Sequence, residues 1–141
     1  MGNTSQRSSQ IRATLIALAV SAAGYMPNPA VAAGVTEQAA FFAACMGRYT
    51  AHLDHQRMHG QEAPTVREKR DIYADLLGAI EQDAHAAGLD PSGLSQFLTR
   101  ARTMQERLLV VAQYHVDPRR ADIAAAQVRQ HMRQCDAMIL G

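Results

Sequence analysis

The stretch Ala86-Ala87-Gly88-Leu89-Asp90-Pro91 decides how the chain folds, because one helix must end and another must begin within it. Gly88 suits the left-handed conformation that follows a helix, and Leu89 can fold back onto the last turn. Asp90 is a preferred N-cap residue, and Pro91 fits the first helical turn, where its missing N–H costs nothing. The stretch therefore predicts two helices joined by a short connection.

Similar signals before this stretch predict the first two helices. Thr36 is predicted to cap a first helix, which ends near Met58, just before a glycine and a proline. Thr65-Val66-Arg67-Glu68 has the pattern of a capping box, in which the Thr hydroxyl and the Glu carboxylate satisfy free backbone amides. The second helix is predicted to run from this box to about Ala87.

Asp117-Pro118 repeats the Asp-Pro start signal and begins a fourth predicted helix. Apolar stripes at helical spacing accompany all four helices. In the first and second helices the stripes are Phe42, Cys45, Met46, Tyr49, Leu53 and Ile72, Tyr73, Leu76, Leu77, Ile80, Ala84. In the third and fourth they are Leu94, Phe97, Leu98, Ala101, Met104, Leu108, Val111 and Ala121, Ala125, Val128, Met132, Cys135, Ile139. No strand pattern occurs, so the prediction is an all-α, up-down-up-down four-helix bundle.

The N-terminus has the parts of a secretory signal peptide. Two arginines precede an apolar run over residues 13–23, and the small residues Ala30-Val31-Ala32 follow a proline-containing breaker. The run is about half as long as a bilayer-spanning helix, so we expect no stable membrane anchor. This predicts export to the periplasm or secretion.

Cleavage is predicted after Ala32, and the ends of Ala33 and Ala23 are the alternatives. The chain would then consist of a signal peptide, 1–32, and one helical domain, 33–141. A domain of this size can bury a modest hydrophobic core.

Two cysteines, Cys45 and Cys135, lie in the predicted domain. An even number of cysteines in an exported chain favours a disulfide. An up-down bundle also places the start of the first helix beside the end of the fourth, where these cysteines lie. The alternative is a pair of buried, unbonded thiols. The cysteines are too far apart for a C-x-x-C redox motif or a C-x-x-C-H haem attachment motif.

Charge and motifs exclude several classes of function. The chain has 14 Lys and Arg against 13 Asp and Glu, so it lacks the basic excess typical of proteins that bind nucleic acid or anionic membranes. It contains no glycine-rich phosphate loop and no nucleophile elbow. We therefore expect no enzyme, but a non-catalytic binding or accessory module of the cell envelope whose partner is an envelope protein.

Histidines provide the alternative function, a periplasmic protein that binds Zn or Cu. Three of them fall within an arc of about 60° on the first helix, and a fourth closes the third helix, whose end should lie nearby. The four predicted ligands are His52, His55, His59 and His115. Asp54 or Glu62 could complete the metal site. In the alternative without a metal, these side chains are solvated or hydrogen-bonded to their neighbours.

A haem held by Met46 and His131 is a weaker alternative. Both residues flank the cysteines, so a disulfide there would crowd out a porphyrin, and aromatic residues make up only 5% of the chain. No cofactor is therefore expected unless the histidines bind Zn or Cu.

The stretch Cys45-Met46-Gly47-Arg48-Tyr49-Thr50-Ala51-His52-Leu53-Asp54-His55, together with Cys135, resembles small exported helical proteins of alphaproteobacteria. That group has no assigned activity. The resemblance implies a Cys45–Cys135 pair and a functional face that includes Arg48 and His55.

Overall fold

The structure, a computed structural model, describes residues 29–140, and the predicted signal peptide up to residue 28 lies outside this range. The described residues form four helices and no strand: α1 (Pro29–Met58), α2 (Pro64–Ala86), α3 (Pro91–Tyr114) and α4 (Pro118–Leu140). The prediction of an all-α chain of four helices is confirmed, and an up-down order of the helices fits the contacts described below. The cleavage site predicted after Ala32 lies in the first turn of α1.

Each of the four helices begins at a proline. Proline has a fixed φ that suits the first helical position, and its lack of an N–H removes a donor that would have no partner there. The predicted Asp90 cap is confirmed, because Asp90 Oδ1 accepts a hydrogen bond from the Gly93 N–H at 2.7 Å. Asp117 Oδ1 accepts one from the Arg119 N–H at 3.0 Å, as expected at the start of α4.

Glycines with positive φ follow α1 and α2. Gly88 has φ +99°, and the Leu89 N–H donates to the Ala84 carbonyl at 2.9 Å. This bond belongs to the Schellman motif and satisfies a carbonyl that would otherwise lack a partner. Gly60 has φ +68° just after α1. The ends predicted for the first two helices are therefore confirmed to within a residue.

The predicted starts of the first two helices are wrong. α1 begins at Pro29, so Thr36 lies inside the helix rather than at its cap. α2 begins at Pro64 with Ala63 at the N-cap, and no side chain caps it. Proline sets the backbone angle of the first turn one residue before Thr65, which leaves the predicted capping box inside the helix.

Helix α1 is buried around most of its circumference, and its buried side chains span an arc of about 240°. They belong to Ala39, Phe42, Ala43, Cys45, Tyr49, Ala51 and Leu53. α1 packs most extensively on α3 and next on α2, whereas α4 packs mainly on α3. α1 is therefore the central helix of the fold.

The contact between α1 and α3 depends on a row of small residues that recur every fourth position, namely Ala39, Ala43, Gly47 and Ala51. At Gly47 the two helices approach so closely that an added Cβ would lie 2.3 Å from the Leu98 carbonyl oxygen. Further along, His52 contacts Gln105 and His59 contacts Tyr114, so both helices run in the same direction.

Aromatic residues and the two cysteines form the largest part of the core. The rings of Phe42, Tyr49 and Tyr73 surround Cys45 and Cys135, whose sulfur atoms lie 2.04 Å apart, the length of a disulfide bond. The Tyr73 hydroxyl donates to the Cys135 carbonyl, so each of these two buried polar groups has a hydrogen-bond partner. The two cysteines therefore meet as predicted, but Cys45 lies near the middle of α1 rather than at its start, because α1 begins at Pro29.

The face of α3 predicted to lie inside is partly wrong. Leu94, Gln105 and Leu109 are the buried residues of α3. Phe97 and Met104, which the sequence places in the core, are 43% and 49% exposed. At Gly47, α1 lies against the backbone of Leu98 and Arg102, so this side of α3 faces inward. The stripe that contains Phe97 and Met104 therefore faces outward. Ile72 of α2, also predicted inside, is 37% exposed.

Candidate functional site

The four histidines predicted to bind a metal lie in three different local environments. His52 Nε2 lies 3.2 Å from Gln105 Nε2. The rings of His55 and His59 are neighbours, with centroids 4.7 Å apart, and His59 Nε2 also lies 3.3 Å from the Tyr114 hydroxyl. Within residues 29–140, no three His, Cys, Asp or Glu side chains are grouped so that they could hold a metal ion.

The remaining residues of that predicted site are engaged elsewhere. His115 follows α3, and its Nδ1 accepts a hydrogen bond from the Asp117 N–H at 3.0 Å. Asp54 pairs with Arg102 at 2.8 Å and with Arg57 at 3.5 Å. Glu62 is exposed in the connection between α1 and α2. Within the described residues, these three side chains therefore do not join the predicted histidines in a metal site.

Arg48, the other residue implied by the resemblance, lies beside the disulfide. Its Nη1 is 3.6 Å from Cys135 Sγ. Burial lowers the pKa of the Arg48 guanidinium, and nearby Tyr73 partly opposes this effect. Arg48 and His55 lie two turns apart on the same side of α1, since seven residues span about two helical turns.

Gln105 forms the centre of a polar cluster that joins three helices. Its side chain is fully buried, at 0% exposure. Its Nε2 lies 3.2 Å from His52 Nε2 on α1 and 3.7 Å from Met132 Sδ on α4. Its Oε1 lies 2.9 Å from His131 Nδ1, also on α4. We call His52, Gln105, His131 and Met132 the Gln105 cluster.

The hydrogen bonds of this cluster fix the protons on both imidazoles. A thioether sulfur accepts hydrogen bonds but cannot donate them, so the NH₂ group of Gln105 faces Met132. The same NH₂ group faces His52 Nε2, which therefore holds a lone pair rather than a proton. The Gln105 oxygen must accept, so His131 Nδ1 carries a proton.

The environment of both imidazoles favours their neutral forms. Burial lowers the pKa of His52, and the nearby His55 lowers it further. Burial also lowers the pKa of His131, and the positive charge of Arg48 lowers it further. In each case the cost of removing a charged imidazolium from water is the larger cause.

These shifts predict that the folded protein loses stability in mild acid. Unfolded histidines bind protons near pH 6.5, whereas His52 and His131 bind them at lower pH in the folded state. The unfolded chain therefore takes up more protons as the pH falls below about 6.5, and the free energy of unfolding decreases. Urea unfolding between about pH 7.5 and 5.5 measures this decrease.

A variant with His52→Gln and His131→Gln is the control, because glutamine does not titrate in this range. Its free energy of unfolding should depend less on pH than that of the wild-type protein. Equal slopes for the two proteins would contradict the assignment of neutral, buried imidazoles.

Gln105 is not recognisable as a core residue from the sequence, because hydropathy does not distinguish a buried glutamine from a surface one. A signal was present, since Leu94, Leu98, Gln105 and Leu109 recur at helical spacing. The competing stripe that contains Phe97 and Met104 has more apolar residues, so the sequence indicates it as the buried face of the helix.

A second feature is a shallow surface depression along the outer face of α3, with a volume of about 690 Å³, whose described lining residues all belong to this helix. We call it the α3 groove. The described residues that line it are Ser95, Gln96, Thr99, Arg100, Thr103, Met104, Arg107, Leu108 and Val111. It thus combines apolar side chains with two arginines and has no acidic residue among them.

The two arginines of the groove differ from their neighbour Arg102. Arg102 forms ion pairs with Asp54 and Glu106, both at 2.8 Å. Neither Arg100 nor Arg107 has an acidic partner in the part of the chain that the structure describes. Both side chains are exposed, so their positive charges face solvent.

The chain matches no protein-family model, no curated protein and no solved structure. Among residues 29–140, no helix combines the length and the apolar character that crossing a membrane requires.

Proposed function

We propose that this protein is a non-catalytic binding module of the bacterial cell envelope, periplasmic or secreted. Its partner is another envelope protein, from which an amphipathic helix with acidic flanks docks in the α3 groove. The observation behind this proposal is that the outer face of α3 leaves Met104 exposed between Arg100 and Arg107.

The inner face of α3 already has its partners. Leu94 packs with small residues of α1 and α2, and Leu109 packs with Ala51 and Val128. Met104 on the outer face remains 49% exposed, and the half-buried Leu108 and Val111 lie beside it in the groove. Grouped apolar side chains at a surface are typical of interaction sites, because their burial by a partner removes them from water.

The charges of the groove indicate what kind of helix would bind. Arg100 and Arg107 are separated by about 10 Å along the helix axis. A docked helix could bring carboxylates to both arginines while its apolar stripe covers Met104. Helix-in-groove recognition uses such apolar anchors at intervals of three, four and seven residues. A basic helix would instead meet like charges.

The pair of cysteines at disulfide distance supports a location outside the cytoplasm, because disulfides persist mainly in oxidising compartments. The predicted signal peptide points to the same destination. Together they support the periplasm or the exterior as the place where the partner is met.

Two synthetic helical peptides test this proposal. Both carry the same apolar stripe, but glutamates flank it in one and lysines in the other. We expect the glutamate peptide to bind more tightly, to perturb backbone NMR signals along α3, and to weaken with added salt as exposed charges are screened. Equal binding of the two peptides, or perturbation of another helix, would refute the proposal.

Charge reversal supplies the matched control. Arg100→Glu with Arg107→Glu should reverse the preference, so that the lysine peptide binds better. Arg129→Glu with Arg133→Glu makes the same change of net charge on exposed residues of α4 and should leave the preference unchanged. If the wild-type protein is a dimer that Met104→Lys dissociates, the groove binds a second copy of this chain. That result would overturn the proposal of a different partner protein.

A further inference from the structure

We infer that His52 and Met132 form a binding site for Cu(I), a soft monovalent cation. The site lies in the Gln105 cluster, between α1 and α4, and is separate from the α3 groove. It shares no residue with that groove, so its test is separate from the test of partner binding.

The geometry of the two donor atoms is the first support. His52 Nε2 and Met132 Sδ come from different helices, yet both direct a lone pair at one atom, Gln105 Nε2, at 3.2 Å and 3.7 Å. The amide nitrogen thus occupies the place where a cation would meet both lone pairs. Rotation of the Gln105 side chain would let a cation take that place.

The chemistry of the donors selects the ion. A thioether is a soft ligand that favours Cu(I), and imidazole nitrogen also binds copper. Structural zinc sites usually have four ligands, including thiolates or several imidazoles, and no such group occurs among residues 29–140. One imidazole and one thioether are both uncharged, so the site offers nothing to offset a double positive charge.

The surroundings disfavour a double positive charge more than a single one. Arg48 lies near enough to His131 to influence that imidazole electrostatically, and it has no acidic partner within the described residues. A nearby guanidinium repels a divalent ion more strongly than a monovalent one. His52 and Met132 are half-buried and Gln105 is fully buried, so an ion reaches the two donor atoms when the Gln105 side chain moves aside.

The test is a competition titration of the disulfide-bonded protein with Cu(I) and the chromophoric chelator bicinchoninate, under ascorbate. We expect one Cu(I) per chain, and Met132→Leu should weaken binding by more than about tenfold. Leucine has a similar size, so the variant should keep its melting temperature within a few degrees. Met104→Leu, which removes an exposed thioether, is the matched control and should bind like the wild-type protein.

Two results of the titration would overturn the inference. One is a Met132→Leu protein that binds Cu(I) as tightly as the wild-type protein. The other is loss of binding in a variant with His55→Ala and His59→Ala, which would place the ion on the neighbouring imidazole pair. A shift of the Met132 methyl NMR signal upon addition of one equivalent of Cu(I) is the second expected readout, and an unchanged signal would also refute the site.

Discussion

Replacing Gly47 with alanine is expected to lower the free energy of unfolding by about 3 kcal/mol. The new Cβ would lie 2.3 Å from the Leu98 carbonyl oxygen and 3.1 Å from the Arg102 amide nitrogen. These atoms belong to the backbone of a packed helix, so they cannot move aside as the end of a side chain could. Separation of α1 from α3 would loosen the contacts on both sides of the crossing.

Gly78→Ala is the matched control for this prediction. Gly78 lies inside α2, is exposed, and has no atom within 4 Å of an added Cβ. Alanine should therefore stabilise the protein by about 0.5–1 kcal/mol, because it favours the helix more than glycine does. Urea unfolding of the three proteins measures both effects. A Gly47→Ala protein as stable as Gly78→Ala would contradict the close helix crossing.

Removal of the disulfide is expected to lower the free energy of unfolding by about 4 kcal/mol in a variant with Cys45→Ala and Cys135→Ala. The bond joins residues that are 90 positions apart, so it restricts the unfolded chain strongly. Both cysteines are fully buried, and their replacement also removes packing against the aromatic core. Denaturant unfolding with and without a reductant measures the change.

The alternative from the sequence, two unbonded thiols, makes the opposite prediction. Reductant should then have no effect on the wild-type protein, and both cysteines should react with iodoacetamide in denaturant without prior reduction. With the disulfide, alkylation requires reductant, and reduced wild-type protein should unfold at a lower denaturant concentration. Alkylation without reductant would contradict the bond.

Most helix boundaries could be predicted because local chemistry determines them. Gly60 and Gly88 adopt the positive φ that ends a helix, and Asp90 caps the next one. The two errors, at Thr36 and Thr65, have one cause. A threonine that looks like a cap can equally lie within a helix when a preceding proline has already begun it, and sequence alone does not decide between them.

The orientation of α3 could not be predicted, because it depends on tertiary contact. Two stripes on this helix have helical spacing, and the stripe that contains Gln105 is the less apolar one. It faces inward because α1 presents Gly47 and small alanines to it, and because His52 and His131 satisfy the Gln105 amide. None of these partners is close to Gln105 in sequence.

The candidate sites were therefore only partly visible in the sequence. The sequence points to His52, but as a metal ligand together with His55, His59 and His115 rather than as the partner of Gln105. Met132 is predicted to be a core residue, because the methionines are too dispersed along the sequence to indicate a copper-binding cluster. Side chains on three different helices converge in this cluster, and periodicity within one helix carries no information about such convergence.

Both proposals depend on the same orientation of α3, with Gln105 inside and Met104 outside. Oxidation of the methionines by dilute peroxide, followed over time by peptide mass spectrometry, tests this directly. Met104 and Met138 are 49% and 48% exposed, so they should oxidise at similar rates, while the half-buried Met132 should oxidise more slowly. If Met104 were instead protected more strongly than Met132, α3 would be turned the other way, and the account would be wrong.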